Sequence, residues 1–84
     1  MEKITSDDTG VFVLQTQSGT EYVLDRDHVK GTSLHKNGVL LARSVMVIEC
    51  STGRRGRFGV FLNEESPDLY SILETTPVVR ISVK

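Results

Sequence analysis

The chain reads as a small all-β domain, an antiparallel barrel or barrel-like sheet of five or six strands. Three observations predict it. Runs rich in Val, Ile, Thr, Phe and Tyr alternate apolar with polar positions, the pattern of a pleated surface with one buried face. Glycine-containing turn signals, Ser18-Gly19, Asn37-Gly38 and the stretch 51–56, separate those runs. Finally, 84 residues leave room for one core, since folded units usually take about 100–150.

In chain order, residues 1–9 are polar and read as a leader, with the domain spanning 10–84. Residues 11–17 and 20–25 flank Ser18-Gly19 as a β-hairpin. Alternation puts Phe12, Leu14 and Thr16 on one face and Thr20, Tyr22 and Leu24 on the facing one, so these should line the core. A short strand is expected within 29–35, ending at the Asn37-Gly38 turn. Residues 39–50 are apolar at too many consecutive positions for a half-exposed helix, and they read as one or two strands broken near Arg43-Ser44. After a glycine-bounded loop over 51–56, residues 57–62 return as a strand with Phe58, Val60 and Leu62 inward, which puts arginines at the tip of a second hairpin. Ser66-Pro67-Asp68 resembles a helix start, and the region 67–74 reads equally as one short helical turn or as an extended run over 70–74. Residues 78–83 form a terminal strand with Val79, Ile81 and Val83 on one face. Size and strand order suggest an SH3-like barrel, with its exposed edges at the first and last strands.

Composition excludes several classes. With 38% hydrophobic and 25% charged residues, the chain is too apolar for a disordered tail, and no run approaches the roughly 20 apolar residues of a membrane span. The start carries no apolar run of a secretory signal. Cys50 is the only cysteine, so no intrachain disulfide can form, which favours a reducing cytoplasm. The net charge of −1 hides a polarised chain: residues 26–57 sum to +5, from seven basic and two acidic side chains, between acidic ends.

The hairpin Thr16-Gln17-Ser18-Gly19-Thr20-Glu21-Tyr22-Val23-Leu24-Asp25 and the ending Thr75-Thr76-Pro77-Val78-Val79-Arg80-Ile81 resemble small proteins of actinobacteria and their bacteriophages. Those share a T-x-S-G-x-x-Y-x-L-D start and a T-[ST]-x-V-V-x-I finish. The resemblance covers both ends and skips the middle. That family has no assigned activity, so the resemblance implies a context, a phage genome, and no mechanism.

For chemistry, the best local signal is basic. Arg43, Arg54, Arg55 and Arg57 are candidates to converge on an anion or on nucleic acid, with Gly53 and Gly56 allowing close backbone approach and Phe61 or Tyr70 available for stacking. The same arginines also suit a solvated hairpin tip that discourages edge aggregation. His28, His35 and Cys50 lack metal-ligand spacing, so no metal or other cofactor is expected, and Cys50 at a strand end reads as a small buried hydrophobe. The acids Asp25 and Asp27, and Glu64 with Glu65, read as loop residues. With no catalytic constellation, a non-enzymatic binding module is expected, its partner another protein or its own copy as a homodimer. A weak nucleic-acid-binding barrel using 53–57 is the alternative, and no membrane partner is expected.

Overall fold

The computed structural model describes residues 1–5, 7–27, 29–61 and 69–84. They form one antiparallel sheet of seven strands curled into a half-barrel. The strands are β1 (Gly10–Thr16), β2 (Glu21–Asp27), β3 (Gly31–Lys36), β4 (Val39–Ala42), β5 (Val45–Glu49), β6 (Arg55–Phe61) and β7 (Tyr70–Val83), and they lie side by side as β4-β3-β2-β1-β7-β6-β5.

The first hairpin follows from its alternation. Phe12 stands opposite Leu24 and Leu14 opposite Tyr22, and all four side chains are buried together with Thr16. Gly19 takes φ +86°, and its amide donates to the Thr16 carbonyl at 2.9 Å. Between β3 and β4 the two-residue turn needs positive φ at both positions, and Asn37 (φ 48°) with Gly38 (φ 82°) supplies it. Leu34 on β3 and Phe58 on β6 are fully buried, which closes the core from both halves.

Seven strands replace the expected five or six. The break at Arg43-Ser44 separates β4 from β5, and 70–83 forms a single strand. The helical turn considered for 67–74 is not formed over the described part, because Tyr70 to Glu74 run extended against β6 in register from Phe61↔Tyr70 to Arg57↔Glu74. Residues 67 and 68 lie outside the described residues, as does Leu62.

The long β7 holds the two halves together. Its first part pairs with β6 and its last part with β1, with a register shift opposite Gln15 and Thr16. That shift makes Val79 an extra residue and leaves it exposed. Of the three valine and isoleucine positions expected on one buried face, only Ile81 is buried; Val83 sits at the strand's end. This pairing also moves the sheet edges. The first and last strands, expected at the edges, pair with each other in the middle, and β4 and β5 are the outer strands.

The segment read as a leader contributes to the core. Ile4 is buried, its amide donates to the Cys50 carbonyl at 2.9 Å, and Thr52 donates to the Glu2 carbonyl at 2.9 Å. Arg26 from β2 donates to the Thr5 carbonyl. Residues 2–5 therefore lie along the chain leaving β5.

Candidate functional site

The β5–β6 hairpin delivers three of the four candidate arginines to one place. Arg54, Arg55 and Arg57 line a shallow depression with Ile48, Glu49 and Glu74. Glu74 stands directly across from Arg57 in the β6–β7 ladder, and its Oε2 lies 3.4 Å from Arg57 Nε while Oε1 lies 3.8 Å from Arg55 Nη1. All three side chains are about half exposed, so each pair contributes only about 0–1 kcal/mol. Their effect on charge is larger: three arginines face two glutamates.

The backbone around the loop is committed. Gly53 donates to the Val78 carbonyl at 2.7 Å and Arg54 to the Ser51 carbonyl at 3.3 Å. Gly56 was expected to open the backbone to an anion. It is instead a buried residue of β6 whose amide donates to Thr75 Oγ1 at 2.9 Å. A Cβ there would stand 3.0 Å from that oxygen and 3.1 Å from Phe58, so this glycine serves packing.

Arg43 does not join the cluster. It lines a separate depression with Asp25, Asp27, Lys30 and Ser33. The four residue steps along β5 from Val45 to Glu49 put roughly 13 Å between that end of the sheet and the Arg57 end. The two aspartates belong to β2 rather than to a loop, and Asp27 Oδ1 also caps the next turn by accepting from Val29 and Lys30. Phe61 stands at the Arg43 end too, its amide donating to the Ser44 carbonyl at 3.1 Å. Its ring meets Tyr70 at 6.0 Å between centroids, tilted by 58°.

Cys50 is 1% exposed, and burial pushes its thiol up to about 11, with Glu49 adding to the rise and Arg26 opposing it. A thiol held protonated and away from solvent is a packing residue, as its sequence position suggested. His35 stands on β3 opposite Val23; His28, Glu64 and Glu65 lie outside the described residues.

A feature that the sequence reading did not assemble lies on the outer face of β5, β6 and β7. Met46, Gly59 and Ile72 form one row across the three strands, and Phe61 with Tyr70 forms the next row along. Met46, Ile48, Tyr70 and Ile72 are each 40–49% exposed. At Gly59 an added Cβ would meet Met46 Cε at 3.1 Å and Tyr70 at 3.3 Å, so both side chains lie down over the glycine and level the surface. The signal was present in 45–49, where residues of both phases are apolar: Val45 and Val47 turn inward, and Met46 and Ile48 are left for a second surface.

Among the described residues, no helix is long and apolar enough to cross a membrane. Compared with known proteins, the chain matches no family model, no curated protein and no solved structure.

Proposed function

We propose that the chain is a small non-enzymatic binding module whose contact surface is the outer face of β5, β6 and β7. The observation that carries this reading is the level apolar row Met46-Gly59-Ile72 continued by Phe61 and Tyr70. A 9.3 kDa chain with few core residues loses solubility by exposing such a face unless something covers it. Tyr, Phe and Met are also the residue types enriched where proteins meet. The unpaired, buried Cys50 suits a reducing cytoplasm. The likeness of both chain ends to small phage and actinobacterial proteins makes a host protein the natural external partner.

The test is affinity capture from a bacterial lysate with the wild-type chain, with Ile72→Lys and with a variant carrying Arg54 and Arg55 both as Ala. A specific partner retained by the wild type and the arginine variant but lost by Ile72→Lys is expected. A partner captured equally by all three contradicts the reading.

The nucleic-acid alternative rests on the clustering of Arg54, Arg55 and Arg57 around one depression. Anisotropy with a labelled single-stranded oligonucleotide at low salt decides it. Three phosphate contacts would give a salt slope of roughly −2. With Glu74 and Glu49 beside the arginines and the nearby amides committed, no such slope is expected.

A further inference from the structure

We infer that the outer face of β5–β6–β7 is covered by a second copy of the chain, packed face to face about a two-fold axis that runs along the Met46-Gly59-Ile72 row. The inference rests on the binding-module reading and names its occupant. Any two-fold interface must be complementary to itself, so residue i meets j while j meets i. This face meets that condition in three rows. Along the strands, the Arg57–Glu74 row comes first, the Met46-Gly59-Ile72 row second and the Phe61–Tyr70 row third, at two-residue steps of about 7 Å.

Rotation about the middle row lays Met46 against Met46 and Ile72 against Ile72 of the two copies and exchanges the outer rows. Arg57 of each copy then comes over the Phe61–Tyr70 pair of the other, which places a guanidinium above two tilted aromatic rings. Glu74 comes toward the Tyr70 hydroxyl of the other copy, a donor for its carboxylate. Among the described residues of these three rows, no like charges meet. The levelling of Met46 and Tyr70 over Gly59 lets two outward-curving sheets touch along more than one ridge.

The rival surface for self-association is the β4 edge, where Val39, Leu40 and Leu41 are 65%, 41% and 43% exposed. There Leu41 is the extra residue of a register shift against β3. A bulge of this kind twists an edge away from regular pairing. Self-pairing would also bring Lys36 and Arg43 of both copies, which flank that strand, close together.

The experiment is sedimentation equilibrium of the full chain from low to high micromolar concentration, on the wild type, Ile72→Lys, Met46→Lys, Arg57→Gln, Arg54→Gln and Leu41→Lys, each first checked for a folded circular-dichroism spectrum. The expected result is a wild-type mass rising from 9.3 kDa toward twice that value with concentration, retained in Leu41→Lys and lost in Ile72→Lys. Met46→Lys carries the same readout should Ile72→Lys fail to fold. Arg57→Gln should weaken the dimer by roughly 5- to 30-fold, two symmetric cation–π contacts, and Arg54→Gln should not. A wild type that stays monomeric throughout overturns the second-copy inference, while the lysate capture separately decides whether an external partner binds the face. A dimer lost in Leu41→Lys and kept in Ile72→Lys overturns it in favour of the β4 edge.

Discussion

Cys50 shows how one side chain reports the state of the core. Its thiol is pushed up to about 11 from an ordinary value of 9.0, mainly because burial disfavours the thiolate. The folded state therefore favours the protonated thiol more than the unfolded chain does. That contribution to stability is fully present below pH 9 and is lost as pH rises through about 11. Urea midpoints should decline between pH 9 and 11 by more in the wild type than in Cys50→Ala, a comparison that cancels other groups titrating there. At pH 8 the native thiol should react with a disulfide reagent far more slowly than the urea-unfolded chain. Equal rates would place Cys50 at the surface. Arg55 and Arg57, by contrast, are exposed, and both pair with the carboxylate of Glu74 across the ladder.

Among the elements, β7 depends on one buried hydroxyl. Thr75 Oγ1 accepts the Gly56 amide at 2.9 Å and donates to the Thr76 carbonyl at 2.6 Å, at a side chain 3% exposed. Thr75→Val keeps the shape and leaves the Gly56 N–H buried without an acceptor. A loss of about 1–3 kcal/mol is expected in urea unfolding, whereas Thr76→Val, at the better hydrated Ser18 contact, should cost less. The elements that were legible in the sequence are those whose signals are local. Period-two alternation placed Phe12, Leu14, Tyr22, Leu24 and Phe58, and the Asn37-Gly38 pair placed the β3–β4 turn. What was not legible depends on partners far along the chain. The phase of 78–83 is reset by a register shift against β1, the extended form of 70–74 is chosen by β6, and Arg57 acquires Glu74 only through that pairing. The four basic candidates divided for the same reason: sequence proximity to one loop holds for Arg54, Arg55 and Arg57, while Arg43 follows β4 to the other end of the sheet.

At the scale of the whole molecule, the basic middle of the chain does not form one basic face. Arg43 shares its depression with Asp25 and Asp27, and Arg55 and Arg57 share Glu74, so the +5 of residues 26–57 is divided between two places and offset there by Asp25 and Glu74 from the acidic ends. The first five residues matter to the core in the same long-range way. Ile4 is 2% exposed beside Cys50, and Ile4→Ala should cost about 2–5 kcal/mol in chemical denaturation. Against a total of roughly 4–13 kcal/mol for a chain of this length, that is a large share. An unchanged midpoint would mean that the segment adds nothing to the core. The two hairpin groups, β1–β4 and β5–β6, never pair directly through their ladders except by way of β7. A strand owned by both groups ties their fates: detaching it from β1 leaves β5 and β6 without their anchor, and detaching it from β6 opens the core over Leu14 and Leu24. The half-barrel therefore melts as one cooperative unit rather than as two independent leaves, although its strands fall into two sets.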